Sequence, residues 1–272
     1  MVATPNAETA VFLTAITILI SIQTLIGACE WLASHVDLKD DGTFSWTLLK
    51  TRQRIWSRPW MVRLASPVLG YPGIVFVFVV QALAAACLAA FPNQDVIRPM
   101  MLTILMGCTL AVNIRCFPYG VKGADRMRLM VLGALWLREW DPGSRMATEA
   151  CLWFIALQCC LSYVSPGVSK LLSADWRSGT TLRTIFGNRN MGFKEGREFL
   201  GRHPEAARPM SWSVILLQAS FPLALLDLRL CFVYLTAMLA FHIANAALMG
   251  LNTFVWSWAS TYPAVLYVAA FR

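Results

Sequence analysis

The stretch AVFLTAITILISIQTLIGACEWLA, residues 10–33, decides the fold class. Its one formally charged residue is Glu30, near the end; Gln23 is its one amide. An apolar run of about 18 or more residues is long enough to cross a bilayer as a helix. Inside a bilayer only helices and closed barrels satisfy every backbone N–H and C=O. Comparable runs recur at Gly70–Phe91, Pro99–Cys116, Glu149–Ser165, Pro209–Leu226, Cys231–Met249 and Thr253–Phe271. Arg128–Leu137 is apolar but too short to span alone. The expectation is an all-α, polytopic transmembrane helical bundle of 7–8 helices, forming one integral membrane domain over residues 1–272. The leader MVATPNAET has no Lys or Arg, so the first run is expected to remain as a helix and not to be cleaved as a signal peptide.

Composition agrees. The chain is 57% hydrophobic and only 14% charged, whereas soluble domains carry about a quarter charged residues. No repeat or low-complexity tract is visible. The formal charge is +8, which in a multi-pass protein reflects the bias of Lys and Arg toward cytoplasmic loops. His35–Leu69 holds six of them and Lys170–Arg208 holds eight. With eight crossings both segments fall on one side, cytoplasmic by that rule. No basic run interleaved with aromatics points to nucleic acid, so the lipid bilayer is the expected partner.

The eight cysteines lie in or beside apolar runs, and no pair has CxxC spacing. They read as small packing residues. No GxGxxG, P-loop, HExxH or GxSxG is present. His35 and His203 sit in polar segments, so no metal is expected.

Amide and ionisable side chains at membrane depth are costly and face protein. Gln23 and Glu30 are seven residues apart and so share a face. Asn113 and Arg115 close the third run, with Arg115 expected to snorkel to the interface. Gln158 and Ser162 are suited to interhelical hydrogen bonds. His242 is the histidine well inside a span, with Asn245 one turn on.

A distinctive block follows the Glu149–Ser165 run: YVSPGVSKLLSADWRSGTTL, Tyr163–Leu182. Pro166 and Gly167 are expected to end the helix, giving a re-entrant or interfacial loop after the fifth span, counting Arg128–Leu137 as the fourth. A lysine is a poor base at neutral pH, but desolvation disfavours an ammonium. A lysine held in such a loop would meet a lipophilic molecule arriving from the bilayer.

This block resembles the signature of the vitamin K-dependent gamma-glutamyl carboxylase, and of the bacterial membrane proteins grouped with it as horizontally transferred transmembrane (HTTM) domains. Two further blocks in the same order, YGVKGADRMRLM (Tyr119–Met130) and FHIANAALMGLNTFVW (Phe241–Trp256), are similar to stretches of that family. The resemblance implies a short bacterial-type, multi-pass protein of the inner membrane. It implies Lys170 as the base that deprotonates a reduced vitamin K or menaquinone-type quinol. It implies oxygen and carbon dioxide as co-substrates, a substrate proton abstracted and the resulting carbanion trapped by carboxylation, and quinone epoxide as the second product. The activity class would be lyase combined with monooxygenase, on a peptide or lipid. His242 is then the assisting catalytic residue, and Tyr163, Asp175, Trp176 and Asn245 form the supporting quinone pocket. Ser169 stands where the carboxylase has the first of two paired lysines. The animal enzyme carries a large docking domain after its bundle, whereas this chain reaches Arg272 soon after its last apolar run, so a peptide substrate is expected to need an accessory subunit. The alternative reading is a non-catalytic membrane factor for maturation or export of a secreted peptide, working with a partner protein.

Overall fold

The structure is a computed structural model and describes residues 7–52, 54–116, 123–187 and 194–271. The first four residues of the Tyr119–Met130 block, Arg189 and most of the leader lie outside them. The described residues are helical with turns and short connections, and they contain no strand. The chain forms two compact units, Met1–Cys151 and Leu152–Arg272.

In the first unit, α1 (Ala7–Ala33), α4 (Gly73–Ala90) and α5 (Ile97–Cys116) are long and apolar enough to cross a membrane. Short helices α2 (Trp46–Arg52) and α3 (Pro59–Leu69) stand between α1 and α4, and α6 (Gly123–Arg138) follows α5. α1 packs on α4, and α4 on α5. Ala28, Ile74, Val77, Phe78 and Val112 form a buried cluster, with Trp31 stacked on Phe78 at 5.6 Å between ring centroids. α4 is apolar all round: Ile74 and Phe78 face this core while Phe76 and Leu83 point outward. A helix hydrophobic on both faces belongs in a core or in lipid. The buried Gln81 amide nitrogen donates to Thr109 Oγ1 at 3.2 Å, tying α4 to α5. Gln23 is buried as its depth requires, but Glu30 is exposed, so the face the two share is covered only partway along α1.

Arg115 differs from expectation. It does not snorkel outward; its side chain is fully buried at the end of α5. Nη2 donates to the carbonyls of Leu38, at 3.2 Å, and Phe44, and the guanidinium lies over the Trp46 ring at 5.7 Å. The loop after α1 folds over it and provides these acceptors. Replacing Arg115 with Leu should lower stability by about 2 kcal/mol, the worth of hydrogen bonds to a charged group. Limited trypsin digestion, followed at Lys39, would show faster cleavage in the variant.

The second unit contains the C-terminal part of α7 (Arg145–Leu172), short helices α8 (Ala174–Ser178), α9 (Thr180–Gly187) and α10 (Lys194–Arg202), then α11 (Ala207–Ala219), α12 (Leu228–Met249), α13 (Asn252–Ala259) and α14 (Tyr262–Phe271). α7 and α12 complete a set of five helices with spanning length and apolarity. Two expected runs take a different form. Pro209–Leu226 is α11 followed by a 3-10 turn at Phe221–Leu225 that contains Pro222. Thr253–Phe271 is interrupted at Ser260–Thr261, just ahead of Pro263 in the first turn of α14. Proline lacks the N–H that a continuous helix needs and suits a helix start. α12 begins at Asp227, whose carboxylate accepts the N–H groups of Arg229 (2.8 Å) and Leu230 (3.3 Å), a standard N-cap. Its outward residues Phe232, Val233 and Ile243 are apolar and exposed, as a lipid-facing helix requires.

Candidate functional site

The site residues lie in the second unit and hang on α7. Contrary to expectation, α7 does not break at Pro166–Gly167; it runs on to Leu172. Proline 166 removes one N–H from the ladder. The following turn is held by packing, because Gly167 lies against the backbone of α11. A Cβ at this position would sit 2.5 Å from Ala219 N and 2.8 Å from Gln218 C. The lysine therefore projects from a helix and not from a re-entrant loop.

That close approach places Gln218 beside Lys170. Nζ donates to Gln218 Oε1 at 2.8 Å and lies 5.0 Å from the centre of the Trp176 ring. Trp176 is positioned by α8. Ser173 caps that helix by accepting the Trp176 N–H, and the Trp176 carbonyl accepts from Ser211 Oγ on α11. Gly179 ends α8 in the left-handed region at φ +82°, where a Cβ would also strike the Ala207 carbonyl carbon at 2.7 Å. Among the described residues no carboxylate forms an ion pair with Lys170. The lysine is half-buried, with an amide oxygen and an indole face for company.

Two turns earlier on the same face stands Tyr163, 2% exposed. Its hydroxyl lies 2.8 Å from His242 Nε2 on α12 and 3.2 Å from the Tyr262 hydroxyl on α14. The His242 ring stacks on Trp258 of α13 at 5.0 Å and 30°. Trp258 is fixed in turn by its Nε1–H, which donates to Ser162 Oγ at 3.0 Å. Ser162 is thus the interhelical link expected of it. Phe221 packs on Tyr163 with ring centroids 4.4 Å apart. His242 Nδ1 is buried and has no hydrogen-bond partner among the described residues.

Of the residues singled out in the sequence, the structure joins Tyr163 to His242 and Lys170 to Trp176. It does not join Lys170 to His242 by a contact. Tyr163 and Lys170 are seven residues apart, which is about 10 Å along a helix. Asp175 is exposed; it contributes a carbonyl to Ser178 Oγ and stands outside both groups. Asn245 is half-buried on α12, one turn beyond His242. Sequence reasoning missed Gln218, Trp258, Tyr262 and Phe221. Gln218 had a usable signal, as an amide inside the apolar run WSVILLQAS. The aromatics had none, since aromatics in such runs are ordinary.

Among the described residues no group of three His, Cys, Asp or Glu side chains could hold a metal ion. All eight cysteines are free thiols.

Gln218→Leu should leave Lys170 without its acceptor and lower stability by about 1 kcal/mol for a half-buried charged donor. Thermal unfolding of the detergent-solubilised protein, against Gln218→Glu as the variant that restores an acceptor, measures this.

No family model matches the sequence, and neither a curated protein nor a solved structure matches it.

Proposed function

We propose that the chain is a multi-pass protein of a bacterial inner membrane that couples oxidation of a lipophilic quinol to proton abstraction, with carboxylation, on a peptide or lipid. In this reading the two interrupted segments, α11 with its 3-10 turn and α13–α14, also cross, giving seven crossings with the five long helices, or eight where α6 crosses as well. Lys170 is the base and His242 the second catalytic residue.

The observation that carries the reading is the face of α7 on which Tyr163, bonded to His242, and Lys170, without a carboxylate partner, stand two turns apart. A lysine free of carboxylates among the described residues can lose its proton without stranding a buried anion. The residues also suit the absent quinol. His242 Nδ1 is a buried polar atom still in need of a partner, and Tyr163, Phe221 and Trp258 pack on one another and around the His242 ring. When bound, the quinol would supply the reducing power and, with oxygen, the strong base that the substrate proton demands. The chain's own part is narrower. Lys170 takes a proton, Gln218 and Trp176 hold the resulting ammonium, and the aromatic wall excludes water.

The test uses purified protein in nanodiscs with reduced menaquinone or vitamin K hydroquinone, oxygen and bicarbonate. Mass spectrometry is expected to find quinone epoxide. Its absence from folded protein would contradict the reading. A specific peptide or soluble subunit that co-purifies with a protein making no epoxide would support the non-catalytic maturation factor instead.

A further inference from the structure

The first unit holds a groove where α5 begins and α6 ends. One cavity of about 340 Å³ is lined by Pro99, Thr103, Trp136, Glu139 and Trp140. A second, of about 520 Å³, shares Pro99 and Thr103 with it and adds Val96, Met100 and Ile104. Both fall within the ~300–1,000 Å³ of small-molecule sites. The shared residues join the two along α5.

The two ends differ in chemistry. Val96, Met100 and Ile104 make one end apolar, and the first two are more than half exposed. The other end is polar. Trp136 Nε1–H donates to Thr103 Oγ1 at 3.0 Å, and Trp136 meets Trp140 edge to face at 5.5 Å. Glu139 lies between two arginines. Arg138 has a partner for every nitrogen: Nε donates to Thr148 Oγ1, Nη1 to Glu139 Oε1 and Nη2 to the Pro142 carbonyl. Arg98 does not. Its Nη2 donates to Glu139 Oε2 at 3.1 Å, and its Nε lies 3.1 Å from Oε1, so one edge of the guanidinium is clamped. Nη1 has no partner among the described residues, and the side chain keeps 17% of its surface exposed. Asp95 and Asp141, close by in sequence, are exposed and pair with neither arginine. Two guanidiniums thus share one carboxylate, and the free edge of Arg98 is held ready for an anion. A planar guanidinium suits phosphate oxygens in particular.

Depth orders these ends. α5 is long and apolar enough to cross a membrane, so Arg98 and Pro99 stand at its boundary and Ile104 lies further in. Tryptophans collect at that boundary. A free phosphate would leave the apolar cavity empty, and a plain hydrocarbon would leave Arg98 Nη1 without an acceptor. A phospholipid satisfies both. We propose that this groove binds a single membrane phospholipid, with its phosphodiester on Arg98 beside the two indoles and one acyl chain along Met100 and Ile104. The site lies in the first unit and stands whether or not the second unit oxidises a quinol.

Native mass spectrometry of the full chain released from detergent tests this. The probes are dioleoyl phosphatidylglycerol, dioleoylglycerol, which has the same chains and no phosphate, and inorganic phosphate. Once loosely held lipids are stripped, one phosphatidylglycerol per chain should remain. Dioleoylglycerol and phosphate should each be held at least about tenfold more weakly, as loss of a hydrogen bond from a charged group implies. Arg98→Gln should weaken phosphatidylglycerol retention by a similar factor. Met100→Trp fills the groove from an exposed position, leaves the core untouched, and should weaken it as well. Leu110→Trp, also exposed on α5 but outside the groove, should not. No retained lipid in the wild type, or unchanged retention in Met100→Trp, overturns the site. Dioleoylglycerol held as tightly as phosphatidylglycerol overturns the contact with Arg98, and inorganic phosphate held as tightly overturns the lipid. If Arg98→Gln does not fold, Met100→Trp and the dioleoylglycerol comparison still decide.

Discussion

Lys170→Ala should lower epoxide formation at least about 100-fold, the lower range for removal of a positioned general base. The stem of Lys170 is half-buried and its Nζ has two neighbours, Gln218 and Trp176, so removing it leaves the α7–α11 backbone crossing in place. Thermal stability should therefore fall far less than activity. Lys170→Arg separates charge from basicity. A guanidinium keeps the cation over the Trp176 ring but does not give up its proton in proteins. It should be nearly as inactive as the alanine variant. Retention of activity in Lys170→Arg would assign the position to electrostatics or packing and not to proton removal. His242→Ala should also lose activity, but without altering the Lys170 surroundings, since the two side chains do not touch.

Gly167→Leu should have the largest effect on the fold of the second unit. Substituting glycine inside a helix ordinarily gains up to about 1 kcal/mol in propensity. Here the new Cβ would lie 2.5 Å from Ala219 N and 2.8 Å from Gln218 C. These are backbone atoms and cannot swing aside, so α7 and α11 must separate. Overpacking of this kind costs about 1–3 kcal/mol or more, which outweighs the propensity gain. Separation also pulls Gln218 from Lys170. Gly167→Leu should thus lower the unfolding midpoint and quinol turnover together, and Gly167→Ala should do the same to a smaller degree. Thermal unfolding and the epoxide assay on the same preparations check this. A variant as stable as wild type would show that Gly167 is not a contact point.

Hydropathy made much of the frame legible. α1, α4, α5 and α12 match expected runs to within a few residues because each is a continuous apolar stretch bounded by polar or proline-containing turns. Hydropathy does not register one missing N–H, so it read straight through Pro222 and Pro263, where the helices are interrupted. The opposite error arose at Pro166–Gly167. Local chemistry there favours a break, but glycine also permits the closest helix crossing, and packing against Ala219 prevailed. Arg115 was misread for a related reason. Position alone puts an arginine at the interface, while the carbonyls of Leu38 and Phe44, more than 70 residues away, draw it inward. Within the site, His242 and Tyr163 were legible as individuals. Their hydrogen bond, 79 residues apart in sequence, was not. Gln218 was hidden inside a run read for its apolar neighbours.

The most direct test of the central claim is photolabelling in nanodiscs. A menaquinone analogue with a photoreactive ring substituent would be cross-linked to wild-type protein, and labelled peptides mapped by mass spectrometry with and without excess unlabelled menaquinone. The expected result is competed labelling within residues 163–182 and 241–262, reduced in His242→Ala. Labelling that excess menaquinone does not displace, or that falls mainly on residues 7–116, would contradict a quinol site on this face of α7.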